Sequence, residues 1–358
     1  MTKKIIFLML LASQAAFAQT NQIAKFFPAA AIGNSTTPTA TGSANVQGLV
    51  SGYIKPVAED FGSLMNNGWY STAENHKKFG FDLQVTMNTI FAKSEQKTFL
   101  PSGLTGVSYN GSGTSDPAPT AYGEETSIPR FVFNSGPNTL IPFLGPGGGN
   151  ISKDVPIGSL VVPTITGGIG LFANTDLRFR YTPAVTLSGT ELKNWGVGIQ
   201  HDIKQHIPGI KMAPFHLSLL LAYSQLTATT DLKGYYFDGA TSNTYNNQNG
   251  IGETKGYTAQ ILVSKTFAVI TFYGAIGYNS SKTTYDITGS YYVNQTESGI
   301  PLAQPVLLTN PFHEEYSVSG VRATGGIRLK FGPIALNSDY SYVNSNGMLT
   351  AGFGFSVR

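Results

Sequence analysis

The chain has 358 residues, 23 Lys plus Arg against 20 Asp plus Glu, a formal net charge of +3 and no cysteine, and only 12% of it is charged. That is about half the charge of an ordinary soluble domain, too little to coat a large soluble surface. The lack of cysteine excludes a disulfide framework and a lipoprotein acylation site, and no basic tract marks a nucleic-acid partner.

The chain opens with MTKKIIFLMLLASQAAFAQT, in which Lys3 and Lys4 precede an apolar run from Ile5 to Ala12 and Ala16-Phe17-Ala18 stands before Gln19. This is the order of a cleavable secretory signal peptide over residues 1–18, so the mature chain is expected to be exported. No later stretch approaches the roughly 18 consecutive apolar residues of a spanning helix. Residues 19–44 are small, polar and Pro-containing and read as a flexible leader. From Asn45 to Met65, apolar Val46, Leu49, Val50, Tyr53, Ile54, Val57, Phe61, Leu64 and Met65 recur at spacings of three and four. That periodicity predicts an amphipathic helix of about five turns with a bend at Pro56. NNGWYSTAENHKK, at 66–78, reads as a turn-rich connector.

FGFDLQVTMNTIFA follows at 79–92, with Phe79, Phe81, Leu83, Val85, Met87 and Phe91 on one parity and Asp82, Gln84, Thr86 and Asn88 on the other. A period of two is the strand signature, because successive side chains point to opposite faces. Residues 94–156 are rich in Gly, Pro, Ser and Thr, a long irregular stretch of the kind found in outer loops of membrane barrels. Alternation then resumes at 159–171, 176–181, 194–207, 215–230, 256–267, 269–281, 316–331 and 334–343, and in the terminal MLTAGFGFSVR. The connections alternate between short and long. The expected fold is all-β: a transmembrane antiparallel up-and-down barrel of about 10–14 strands from residue 79 to the end, in the outer membrane. Its N-terminal segment, 45–78, either plugs the barrel or lies against its mouth.

The phase of the charges decides which face is inside. Asp176, Arg178 and Arg180 alternate with Leu177, Phe179 and Tyr181; Arg322, Arg328 and Lys330 alternate with Val321, Ile327, Leu329 and Phe331. Asp202 and Lys204 alternate with Ile203, and Asp339 with Tyr340. A basic residue facing lipid near mid-bilayer costs about 2–4 kcal/mol, so in a barrel these charges must face inward. The candidate lumen-lining residues are therefore Asp82, Gln84, Asn88, Asp176, Arg178, Arg180, Asp202, Lys204, Arg322, Arg328, Lys330 and Asp339. They form either a network that fills a narrow barrel or a polar permeation path. The last strand turns Leu349, Ala351, Phe353, Phe355 and Val357 outward and Thr350, Gly352, Gly354 and Ser356 inward, which leaves room for something packed inside. Trp195, Tyr235, Tyr236, Tyr257, Tyr291, Tyr292, Tyr316, Tyr340 and Tyr342 stand near strand ends, as headgroup-level girdles would.

GYIKPVAEDFGSLMNNGWYSTAENHKKFGFD and GVGIQHDIKQHIPGIKMAPFHLSLLLAY resemble an uncharacterised family of outer-membrane barrel proteins of Bacteroidota. The resemblance runs from about residue 47 to the C-terminus and implies fold and location but no activity. More loosely, a helix ahead of the first strand is similar to the long-chain fatty-acid transporter type, in which an N-terminal hatch plugs the barrel; the Asn-Pro-Ala motif of that hatch is missing. The alternating aromatics of the terminal strand resemble the signal read by the barrel-assembly machinery, although the last residue is Arg358.

No catalytic fingerprint stands in the chain: there is no GxSxG, HExxH or Walker loop. His201 and His206, five apart, point to opposite faces if both lie in one strand, which excludes a shared metal. An Asp/His hydrolytic site assembled across loops, for example with His313, Glu314 and Glu315, is the remote enzymatic reading. The expectation is a non-enzyme without metal or cofactor, whose partners are the bilayer, the assembly machinery and a small solute. As a channel or transporter it would pass a small or amphipathic solute; the alternative is a non-conducting structural or assembly component.

Overall fold

A computed structural model describes residues 23–30, 38–111, 117–136, 139–150, 159–187, 190–232, 248–295, 301–344 and 346–357. Residues 1–18, read above as a signal peptide, lie outside the described residues, as do Tyr235, Tyr236 and parts of the segments read as leader and long loops. A 3-10 turn, Ala24–Ala30, and helix α1, Ala40–Leu64, precede the strands. These are β1 (Phe81–Ile90), β2 (Thr98–Phe99), β3 (Val107–Gly111), β4 (Ala118–Pro119), β5 (Arg130–Gly136), β6 (Thr139–Leu144), β7 (Leu160–Gly170), β8 (Thr175–Leu187) and β9 (Thr190–Asp202). There follow β10 (His216–Asp231), β11 (Asn249–Phe267), β12 (Ile270–Thr288), β13 (Ser290–Gln295), β14 (Pro301–Thr309), β15 (Phe312–Phe331), β16 (Ile334–Val343) and β17 (Asn346–Val357).

Ten of these strands close a barrel in the order β1-β17-β16-β15-β12-β11-β10-β9-β8-β7, every described pairing antiparallel. Closure pairs the first strand with the last, as backbone polar groups in a bilayer require, and the shortest pairing is that of β7 with β8, over Thr166–Gly170. β1 makes the seam, pairing Phe81 with Val357 on one side and with Ile169 on the other. At one end the connections are short: 171–174, 203–215, 268–269 and 332–333. Ala173 and Asn174 both adopt the left-handed conformation (φ 54° and 50°) that a tight hairpin turn demands. At the other end stand the excursions 91–159, which carries β2 to β6, 232–248, and 289–311, which carries β13 and β14. β11, β12 and β15 run to 19, 19 and 20 residues against 10 in β1 and β16, so the wall rises higher on their side.

The barrel is inside-out by soluble standards. Val321 is 65% exposed and Ile276 60%, and Leu83, Val197, Leu221, Ile261 and Phe353 also face out, whereas Thr86, Asn88, Thr164, Gln200, Ser224, Gln260 and Thr350 are buried. An apolar outer belt around a polar interior is what a lipid solvent selects. Trp195, Tyr257, Tyr340 and Tyr342 are exposed on the outside of the barrel and Tyr292 on the loop strand β13; Tyr291 of β13 and Tyr316, toward the loop end of β15, instead are buried.

They are buried in a cap. Phe26 meets Tyr53 and Phe131 edge-on at 5.9 and 6.0 Å, and Phe27 meets Tyr291 at 5.1 Å. Val46, Leu49, Val50 and Tyr53 of α1 pack into the same apolar cluster as Phe143, Val293, Leu308 and Phe312. Thr39 starts α1, its Oγ1 accepting from the Gly42 amide at 3.0 Å. The helix begins five residues before the sequence pattern suggests, because Ala40, Thr41, Gly42, Ser43 and Ala44 supply no apolar period. It accommodates Pro56 within its span.

Candidate functional site

α1 descends into the barrel. Its last turn, with Phe61, Leu64 and Met65, packs against Ile90, Leu160, Val162, Leu226, Ala228, Val343 and Met348 from the inner wall. Residues 66–78 then run on through the lumen toward the short-turn end, with Trp69, Tyr70 and Ala73 against Leu220, Leu262 and Tyr273. The chain leaves the helix through Gly68, in the left-handed conformation (φ 72°), where a Cβ would come within 2.5 Å of Thr86 Oγ1. The connector of the sequence reading is thus an internal thread.

A single chain inside a barrel has no strand beside it, yet its backbone groups still need partners. The wall side chains supply them. Arg180 Nη1 donates to the Met65 carbonyl at 2.6 Å and its Nη2 to the Asn67 carbonyl; Arg322 Nη1 donates to Asn66 at 3.0 Å. Gln84 Nε2 donates to Gly68 at 3.2 Å, Arg178 Nη1 to Trp69 at 3.0 Å, Gln200 Nε2 to Thr72 at 3.3 Å and Ser218 Oγ to Ala73 at 2.5 Å. Carbonyls are acceptors and guanidinium has five donors in a fixed fork, so arginine suits this task. Arg180 also stacks on the Trp69 indole, 4.2 Å from the ring centroid.

At the short-turn end the thread is fixed by charge. His76 donates its amide to Asp176 Oδ1 at 2.9 Å, and its Nδ1 lies 2.8 Å from Asp176 Oδ2. Arg178 joins them, 3.8 Å from Asp176 and 3.6 Å from Asp82. His76 is buried and had no role in the sequence reading, where its neighbours looked like a loop.

The twelve candidate lining residues separate by position. Gln84, Asn88, Asp176, Arg178, Arg180, Arg322, Arg328 and Asp339 are buried within the barrel, and Asp82 is half-buried beside Arg178. Asp339 accepts from Tyr273 at 2.9 Å, and Asn88 accepts from Thr350 at 3.1 Å. Asp202, at the end of β9, accepts the Lys204 amide at 2.9 Å. Lys204 stands apart. β9 stops at Asp202 and Lys204–His206 is a 3-10 turn, from which Lys204 Nζ reaches the Ala213 and Phe215 carbonyls at 3.0 and 2.6 Å. It ties down a turn and does not line the interior. Lys330 is half-buried at the end of β15, its amide bonded to Val269 at 2.8 Å. The same turn corrects the reading of the two histidines: His206 folds back over His201, rings stacked at 5.2 Å and Nε2 atoms 3.0 Å apart.

Glycines on the inner wall make room. A Cβ at Gly196 would sit 3.0 Å from the Trp69 ring and one at Gly256 2.8 Å from Asn66 Oδ1. The space beside Gly352 and Gly354 is taken differently, by the wall side chains of Asn337, Thr86 and Gln84. Of the residues of the remote hydrolytic reading, His313 lies 2.6 Å from Asp286, whereas Glu314 accepts from Gln47 at 2.8 Å and Glu315 pairs with Lys282 at 2.7 Å. Among the described residues no group of three or more His, Asp or Glu gathers as a metal site.

Solved structures similar to this chain include the outer-membrane protease OmpT from Escherichia coli, at 8% identity over 81% of this chain and 99% of that one, TM-score 0.30. Others are the attachment invasion locus protein Ail of Yersinia pestis, at 8% identity over 51% and 91%, TM-score 0.23, and the translocator domain of the autotransporter NalP from Neisseria meningitidis, at 12% over 84% and 92%, TM-score 0.26. Likenesses this remote transfer no activity. No curated protein matches the sequence. A family model does, over residues 1–357, and the chain belongs to that family, the family of unknown function DUF6588.

Proposed function

We propose that this outer-membrane barrel stands closed, its lumen occupied by its own residues 65–78, and that it serves the envelope as a non-conducting carrier of the cap built on its loop end. The observation that supports this reading most is the set of guanidinium bonds from Arg178, Arg180 and Arg322 to the carbonyls of residues 65, 66, 67 and 69. These arginines are occupied in holding the thread. Long connections face outward and short turns face the periplasm in barrels of this type, which supports a cap on the cell surface. The outward aromatics of β17 present the strand that the assembly machinery would read. Passage of a small or amphipathic solute, as in the fatty-acid transporter type, would require the thread to leave the lumen.

Planar-bilayer recording of the purified full chain tests the proposal. The intact protein is expected to be silent, and a variant lacking residues 19–70 to show discrete conductance steps. Steady conductance from the intact protein would overturn the closed reading and favour the channel.

A further inference from the structure

The cap and the start of β1 stand at opposite ends of a closed cylinder, joined only through its lumen. At the loop end, the 3-10 turn Ala24–Ala30 is locked between α1 and the loop strands: Phe27 packs on Tyr291 at 5.1 Å, and Gly42 leaves the Ala30 carbonyl just enough room. At the short-turn end, His76 is bound to Asp176, and the Phe79 amide donates to the Gly170 carbonyl at 2.9 Å, immediately before the β7–β8 turn. β1 is paired on both sides along its whole length, and the shortest pairing of the wall, β7 with β8, still closes it over Thr166–Gly170 at the short-turn end, where the thread leaves.

We propose that the barrel exports part of its own polypeptide: residues 23–64 cross the outer membrane through the lumen that residues 65–78 still occupy, and are displayed on the cell surface. The cargo is a nearly uncharged segment, with only Lys25, Lys55, Glu59 and Asp60 ionisable among the acids and bases, apolar along α1. Such a segment crosses a polar lumen with few charges to desolvate and gains a core only on arrival, where Val46, Leu49, Val50 and Tyr53 meet the loop strands. The interior matches a passing backbone better than a passing solute, since its donors of arginine, glutamine and serine are spaced along one chain's carbonyls. The proposal rests on the orientation adopted above, with the long connections outward.

The chain contains no cysteine, so single cysteines report each end. Ser43 is exposed on the cap and Lys78 at the thread's exit; Leu140 is exposed on a loop strand and Met212 in a short-end turn. Cells making the full chain with Ser43→Cys, Lys78→Cys, Leu140→Cys or Met212→Cys are treated with a membrane-impermeant maleimide, intact and after outer-membrane permeabilisation. Ser43→Cys and Leu140→Cys should react on intact cells, and Lys78→Cys and Met212→Cys should gain at least tenfold on permeabilisation. Reaction of Leu140→Cys on intact cells with Ser43→Cys reactive only after permeabilisation would overturn export while leaving the orientation standing. Reaction of Met212→Cys and not Leu140→Cys on intact cells would overturn the orientation itself. Ala44→Cys, also exposed, reads the same face if Ser43→Cys fails to reach the membrane.

Discussion

The Arg180 guanidinium lies 4.2 Å above the Trp69 ring while its Nη1 donates to the Met65 carbonyl at 2.6 Å, so one wall side chain grips both a side chain and the backbone of the thread. Arg180→Ala removes this stack and the donor to the buried Asn67 carbonyl, and leaves the Met65 carbonyl with Ser224 Oγ alone, at 3.1 Å. The loss is expected to be about 2–4 kcal/mol, from charge-assisted bonds and cation–π contact. It should appear as a lower temperature of the folded-to-unfolded shift on unboiled gels and as intermittent conductance. Arg180→Lys, a point charge without the fork, is expected to recover only part.

Gly68→Ala should destabilise the thread on two grounds. The left-handed backbone costs an L-residue about 1–2 kcal/mol, and the new methyl would press on Thr86 Oγ1. Adding Thr86→Ala relieves the contact and not the backbone. Thr86 Oγ1 also bonds Thr164 Oγ1 at 2.7 Å, so Thr86→Ala alone is the reference: the double variant should melt less far below it than Gly68→Ala melts below the wild type in a thermal scan in detergent.

Asp60 gives the cap a pH dependence. It sits on α1, not on a membrane-spanning strand, level with the loop-end start of β17, accepting from Gln96 at 3.1 Å, Asn346 at 3.2 Å and Tyr122 at 3.0 Å. Burial pushes its carboxyl up to about 7, with the bonds from Gln96 and Tyr122 opposing the rise. The folded state then binds the proton more tightly than the unfolded chain, whose carboxyl titrates near 4. The contribution to stability is full below the unfolded value and declines as pH rises through about 7. Denaturant unfolding at pH 5 and pH 8.5 should show the lower midpoint at pH 8.5. Asp60→Asn should flatten that difference, and an unchanged difference would refute the role of Asp60.

Ile276 faces outward on β12, opposite Ile261 of β11 and Ala323 of β15. Ile276→Arg should cost about 2–4 kcal/mol if this belt contacts lipid near mid-bilayer. Folding into vesicles at graded urea measures it. An effect near zero would place the position at the headgroups.

Much of the wall is legible in the sequence because each strand answers a single local question, which face is apolar. Arg178, Arg180, Arg322 and Arg328 share the buried phase of Gln84 and Asn88 for that reason. Period two reports the face regardless of register or partner. Where the local conformation departs from a strand, the same rule misleads. Lys204 and His206 continue the alternation on paper, but the chain has already turned at Asp202, so Lys204 binds turn carbonyls and His206 meets His201.

The sequence by itself determines a barrel with an amphipathic helix ahead of it, because alternation and a spacing of three and four are properties of neighbouring residues. Only the tertiary structure decides that NNGWYSTAENH runs inside the barrel. Apart from Gln84, the partners of its carbonyls named above are Arg178, Arg180, Gln200, Ser218 and Arg322, more than a hundred residues away along the chain. A carbonyl carries no side-chain identity, so nothing in those letters shows that their backbone is what the arginines bind.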